Sequence, residues 1–319
     1  MSKARAHHYL PIFYLKGFTS SEPHDNGFLY VYEQNKPIRK SKPDNEAKQR
    51  DFYAFEDEHG VRRDAEQGLS QIESQLAPVF KEIENGYHRF HPDDWYGVTY
   101  FIALQWLRGP SGRDFVNGLF ETIMTRLVKA AAEDEKQFTK EYEDFARHTG
   151  DGMKFSAEEM RAYVLGGQWK ISQESHGYKL KQMFEGTLTV APILRAKHWE
   201  LLTSESDQCF CTTDLPVITI LPDGVRRGEM GTGFGVPGVH VYFPVNKRSC
   251  LVLMDRVPCE KRTIPPGHVG EINKFLMIGA RRYIYASEKN GHMAAVFSKI
   301  GCNSIPGKNA FMTSPPPSE

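Results

Sequence analysis

Two histidines stand side by side near the N-terminus, His7 and His8, in an aromatic run that leads to Pro11. An imidazole changes charge close to neutral pH, so His8 can serve as a general base, a metal ligand or a proton donor to a phosphate oxygen. The plainer alternative is a buried imidazole bonded to backbone, tying the N-terminus down. Glu73 follows Ile72 on or beside an apolar helical stripe, where a carboxylate is costly without a partner. Arg108 ends a very apolar stretch and can hold such a carboxylate bidentately, with Gln105 one turn earlier on the same face. Glu73, Gln105 and Arg108 therefore read either as a clamp for an anionic group such as phosphate or as a buried ion pair that fixes helix register. Asp214, in Thr213-Asp214-Leu215-Pro216 after a strand-like run, suits a turn capped by side-chain bonds as well as a site at a strand end. Together His8, Glu73 and Asp214 would supply metal-binding or acid–base groups, and Arg281 would bring a further cation to the anionic group.

Other motifs carry less. Cys209 and Cys211 fall on one face of a strand, which suits a zinc knuckle poorly. Cys250, Cys259 and Cys302 follow without ligand spacing, and five cysteines fit reduced thiols better than a disulfide framework. The glycines at 231, 233 and 235 have neither the helix of a dinucleotide fingerprint nor the Lys-Ser/Thr of a P-loop. Arg226-Arg227 and Arg281-Arg282 are the best basic pairs, the second of them read on a helix with one arginine inward. Aromatic residues follow core periodicity and do not alternate with basic ones as a nucleic-acid platform would.

The elements that must position these groups are legible from periodicity. Residues 28–38 read as a hairpin, 39–50 as polar loop and 51–55 as a short strand or turn. Leu69, Ile72, Leu76, Val79/Phe80 and Ile83 mark an amphipathic helix that Pro78 should kink or divide. Further helices are predicted over 92–108, 112–132 (with Phe115, Leu119, Ile123 and Leu127 on one face), 133–148, from the Ser156–Glu159 capping box to Gly166-Gly167, and over 174–195. Short strand-like runs follow near 199–202, 210–213, 217–221, 239–243 and 250–254. A helix is predicted from Gly267 to Ala286, and a last strand at 294–297. The pattern is α+β: a mainly helical core layer with a small N-terminal hairpin and a β-rich C-terminal part. It reads as one compact domain over 1–310, made of 1–60, 64–195 and 196–310, with 311–319 a disordered tail.

The 319 residues carry 40 Lys+Arg and 40 Asp+Glu, a net charge of +0. The balance is regional: residues 1–50 hold nine basic against five acidic side chains, 121–160 six against ten, and 195–319 fifteen against eleven. Neutrality argues against bulk electrostatic binding to nucleic acid or anionic lipid but leaves room for one local anion site. No stretch approaches the roughly 20 apolar residues that span a bilayer, and the start lacks the apolar core of a secretory signal.

An ordered series carries a family likeness: His8-Tyr9-Leu10-Pro11, Phe13-Tyr14-Leu15 and Phe18; Phe52-Tyr53; Ile72-Glu73; Ala103-Leu104-Gln105 with Arg108 and Pro110; Thr213-Asp214 with Pro216-Val217; Phe243-Pro244-Val245; and Ile272-Asn273 through Ala280-Arg281. Over about residues 7–286 the chain resembles domain-of-unknown-function family 4238, whose members are mostly bacterial. Ile12 stands where that family usually carries glutamine, and Leu215 where a polar residue is common. The resemblance implies the architecture and brings no activity. The HHxxP order is superficially similar to the opening of His-Asn-His nucleases, without their downstream Asn and His elements.

These readings lead to an expectation: a cytoplasmic enzyme acting on a phosphate-containing substrate, as a metal-dependent nuclease or phosphohydrolase. His8, Glu73 and Asp214 would be catalytic, and Arg108, Gln105 and Arg281 would bind substrate. A divalent metal is compatible with this chemistry, but no motif fixes one. The alternative is a non-catalytic binding or regulatory protein with a structural polar cluster. Neither involves a membrane or a broad nucleic-acid surface; a small anionic ligand suits the first.

Overall fold

The computed structural model describes residues 6–20, 27–57, 59–86, 89–149, 154–171, 175–205, 207–221, 233–256, 260–300 and 311–313. The N-terminal segment carries β1 (Ala6–His8) and a short helix, α1 (Ile12–Lys16). Then come β2 (Leu29–Glu33), β3 (Arg39–Ser41), β4 (Lys48–Arg50), β5 (Ala54–Glu56) and β6 (Arg62–Asp64). The hairpin read at 28–38 is β2–β3, and Asn35 takes the left-handed conformation its turn needs, at φ 58°. The loop expected at 39–50 is more ordered than its polar composition suggests. β3 closes the hairpin, and β4 pairs antiparallel with β1, setting Gln49 opposite His7.

The helical part runs α2 (Glu66–Glu84), α3 (Pro92–Arg108), α4 (Pro110–Glu133), α5 (Glu135–Thr149), α6 (Ala157–Gly166) and α7 (His176–Arg195). Pro78 lies inside α2, which continues undivided past it. α3 is buried on every side from Phe101 to Arg108 and packs along α7. The β-rich part contains β7 (His198–Ser204), β8 (Thr212–Thr213), β9 (Ile218–Leu221), β10 (His240–Asn246), β11 (Ser249–Met254), β12 (Glu260–Ile264), α8 (Pro266–Gly279), β13 (Tyr283–Ala286), α9 (Gly291–Ile300) and β14 (Phe311–Thr313).

Three of these correct the expectations. The helix expected over 267–286 stops at Gly279, and Tyr283–Ala286 become a strand between β2 and β8. The aromatic and β-branched run Tyr283-Ile284-Tyr285 prefers that extended pairing. Residues 294–297, read as a strand, lie inside α9, where Met293 and Phe297 share a buried face at helical spacing. Phe311–Thr313, read as tail, pair parallel with β9. Arg226, Arg227, Gly231, Cys259, Cys302 and residues 314–319 lie outside the described residues.

One sheet has strand order β12-β7-β11-β10-β9-β14, and a second runs β3-β2-β13-β8. Phe243 of β10 stacks on Tyr14 at 5.3 Å and meets the edges of Phe80 and Phe101, joining the N-terminal motif to α2 and α3. The opposite face, with Val252, Ile218 and Cys250, packs with Leu276 and Met277 of α8 and Phe297 of α9 in a second cluster. The architecture is thus mixed α+β.

The chain divides into two compact units, one within 1–114 and 176–319, the other within 115–175. The smaller is built on Ala132, Phe138 and Val164. Its α6 opens with the expected capping box, Ser156 accepting from the Glu159 N–H while the Glu159 carboxylate accepts from the Ser156 N–H, and ends at Gly167 in the left-handed conformation. The apolar face read on 115–127 is largely open: Leu119, Ile123 and Leu127 are 41%, 46% and 58% exposed.

Candidate functional site

Strand alternation decides what the histidine pair does. In β1 the side chains of His7 and His8 point to opposite sides, and His7 is the buried one. Its Nδ1 accepts the Tyr53 N–H at 2.8 Å, which places the proton on Nε2, 3.0 Å from the Asp64 carboxylate at the end of β6. The ring stacks on Tyr53 with centroids 5.5 Å apart. The His8 imidazole instead lies 3.1 Å from the Asp44 carbonyl through Nε2. Burial, followed by smaller effects of its neighbours, holds its pKa below the ordinary histidine value.

Arg108, the last residue of α3, reaches back across this segment. Nε donates to the Tyr53 hydroxyl at 3.0 Å, Nη1 to Glu73 Oε1 at 2.7 Å, and Nη2 to the His8 carbonyl at 2.7 Å. The side chain is 1% exposed and Glu73 22%. Burial works against this charge, but Tyr53 and Glu73 outweigh it and hold the guanidinium above its ordinary pKa. Arg108, Glu73 and His8 are therefore together, with His8 contributing its backbone. Gln105 is not among their partners: it is buried, and neither atom of its amide has a hydrogen-bond partner.

Asp214 and Arg281 form a second group. Oδ1 of Asp214 accepts the Arg281 N–H, and Oδ2 accepts those of Arg282 and Tyr283, at 2.8–3.1 Å. Arg281-Arg282 thus lie in the turn from α8 to β13 and not on a helix. Arg281 pairs with Asp114 at 2.7 Å, and Arg282 with Glu33 at 2.8 Å. Complete burial pushes the Asp214 carboxyl up to about 6 despite its three donors. The family described as protein of unknown function, DUF4238, matches residues 6–290. The chain belongs to that family. No curated protein and no solved structure matches it. The DUF4238 span starts with β1 and ends just before α9, so it takes in both polar groups.

The residue that sequence reasoning passed over is Arg113, in the first turn of α4. Its guanidinium lies over the Phe52 ring at 3.4 Å and 5.4 Å from the Tyr53 centroid. Nε and Nη2 are buried without a hydrogen-bond partner among the described residues. The neighbouring carboxylate, Asp114, is held by Arg281. Burial pushes Arg113 down to about 10, with the charge of Arg108 adding to the effect. His176, at the start of α7, has its pKa lowered by burial and then by the Arg113 charge. Glu66 is also shifted: burial raises its carboxyl, and Oε2 has no partner. A signal for Arg113 existed. Gly109-Pro110-Ser111-Gly112 forces a sharp reversal after α3, which returns the next long side chain toward Arg108. A Cβ on Gly112 would run into the Trp106 carbonyl oxygen and come within 2.7 Å of Leu107 Cα.

Among the described residues no three His, Cys, Asp or Glu side chains are grouped to hold a metal ion. His8, Glu73 and Asp214 accordingly do not form a ligand set. Among those residues no helix is long and apolar enough to cross a membrane.

Proposed function

We propose that this DUF4238 protein binds a phosphate-containing small molecule at Arg113. One observation carries the reading. A guanidinium packed on Phe52 leaves two buried nitrogens unpartnered, while the adjacent Asp114 is held by Arg281. A half-buried cation whose neighbouring carboxylate is shared with Arg281 is only partly compensated, and an anionic ligand offsets the remaining cost. Arg108 adds positive potential at Arg113, whereas Arg108 itself is held by protein partners. The anion contact therefore moves from Arg108, where the sequence alone placed it, to Arg113. Action as an enzyme on such a substrate, in a bacterial cytoplasm, is the continuation of this reading.

A non-catalytic binding or regulatory protein is favoured by a separate observation. The imidazole of His8, the carboxylate of Glu73 and that of Asp214 are each held by internal hydrogen bonds. Titration of the full chain with inorganic phosphate and a panel of nucleotides by calorimetry tests the site. The wild type should bind at least one of them and Arg113→Met none. Wild-type binding that survives in Arg113→Met removes the proposal. Phosphate release from the bound compound then separates the enzyme from the binder.

A further inference from the structure

The face of the larger sheet opposite Phe243 is broader than one helix can cover. α8 packs against β8 and β9. Between its first turns and β7, β9, β10 and the end of β12 lies a cavity of about 700 Å³. That volume is within the range of small-molecule sites, about 300–1,000 Å³. Its apolar wall includes Leu202, Ile220, Ile264 and Phe275. The register sets Tyr242 opposite Val252, and Val252 opposite Glu200, so all three share the sheet face that the cavity opens on.

The polar groups, which include the His268 imidazole, are asymmetric in their charge pairing. Arg262 is committed to Glu200 through two bonds of 2.5 and 3.0 Å, so this cation is already neutralised. Glu271, in the second turn of α8, also lines the cavity and is exposed; it has no ion-pair partner among the described residues. The Tyr242 hydroxyl makes no hydrogen bond to a described residue. Burial pushes its phenol up to about 12, so it stays a neutral donor and acceptor. A carboxylate ligand would meet Glu271 and find Arg262 occupied. An amine would find an unpaired carboxylate.

We propose that this cavity is a second binding site, for a small apolar ring bearing an amine. The ring rests on Leu202, Ile220 and Phe275, and the amine lies at Glu271. The site shares no residue with the Arg113 group, so its fate is separable from the phosphate reading.

Tryptamine, indole and indole-3-acetate, each titrated into the full chain by calorimetry, test it. Affinity should fall in that order. Glu271→Gln, a substitution at an exposed position, should weaken tryptamine about two- to fivefold, the scale of an exposed charge contact, and leave indole unchanged. Ile220→Trp should fill the cavity and abolish both. The proposal fails if neither tryptamine nor indole binds, if indole-3-acetate binds as tightly as tryptamine, or if Glu271→Gln leaves the tryptamine affinity where it was.

Discussion

Arg108 and Glu73 meet at 2.7 Å across two helices, but they share the burden of burial unequally, with Arg108 sealed and Glu73 partly open to water. The same guanidinium also holds the Tyr53 hydroxyl and the His8 carbonyl, so one side chain ties α3 to α2, to the turn before β5 and to the first strand. Loss of the cation removes a donor from the Tyr53 hydroxyl and another from the His8 carbonyl, leaving them, among the described residues, only their bond to each other, while Glu73 can be hydrated. Arg108→Met should therefore destabilise by about 3–5 kcal/mol, and Glu73→Gln, which keeps an acceptor for Nη1, by about 1–2 kcal/mol. Chemical denaturation of the two variants measures the order. Equal losses would mean that the ion pair, and not the bonds to the N-terminal segment, sets the cost.

Arg113 sits close to Arg108 and should respond in the opposite direction. Its charge is desolvated and repelled by Arg108, and it is compensated in part by the faces of Phe52 and Tyr53 and by Asp114, which Arg281 also holds. Arg113→Met keeps the packing volume and removes a poorly compensated charge, so Tm should rise by about 2–4 °C, the equivalent of roughly 1 kcal/mol in a domain of this size. A lower Tm would show that the contact with the aromatic rings outweighs the desolvation.

Much of this architecture is readable from periodicity, because α3 and the capping box of α6 depend on local spacing. Local signals also placed Glu73 beside Arg108, since a carboxylate at an apolar stripe demands a cation. Long-range pairings hid the rest. β4 is polar throughout and becomes a strand only because β1 lies beside it. The break after Gly279 depends on a carboxylate 65 positions or more earlier, Asp214, which takes up the N–H groups that a continuing helix would have used. The choice between His7 and His8 needed the strand phase, and Arg113 needed the reversal at Gly112.

That reversal gives a sharp test. A methyl at Gly112 would overlap the backbone of Trp106 and Leu107, which cannot move as a flexible side-chain tip does. Gly112→Ala should cost more than the gain of about 1 kcal/mol that alanine brings to an ordinary helix position. Gly118→Ala, on the same helix with open space around it, should be neutral or stabilising. Urea melts of the two variants should diverge in sign. Matching stabilisation in both would mean that the corner is looser than its contacts indicate.

Asp214 provides a pH signature. Its carboxyl titrates near 6 in the folded chain against 3.8 in the unfolded one, so between these values the folded state holds the extra proton. Raising the pH through that window therefore removes stability, by roughly 3 kcal/mol for two pK units, and above about pH 7 the effect is flat. The depressed carboxylates Glu33, Asp57 and Asp255 act in the opposite direction, gaining for the folded state as pH rises through their own lower range. Asp214→Asn isolates the single group. The variant loses acceptors for the three N–H groups of residues 281–283 and should be the less stable protein at every pH. Its deficit relative to wild type should nevertheless shrink as pH rises from 4 to 6, because only the wild type carries the Asp214 carboxyl, whose ionisation burial resists. A deficit that is constant across that window, measured by calorimetric melting at matched ionic strength, would mean that the three backbone donors offset the desolvation fully and leave Asp214 an ordinary acid.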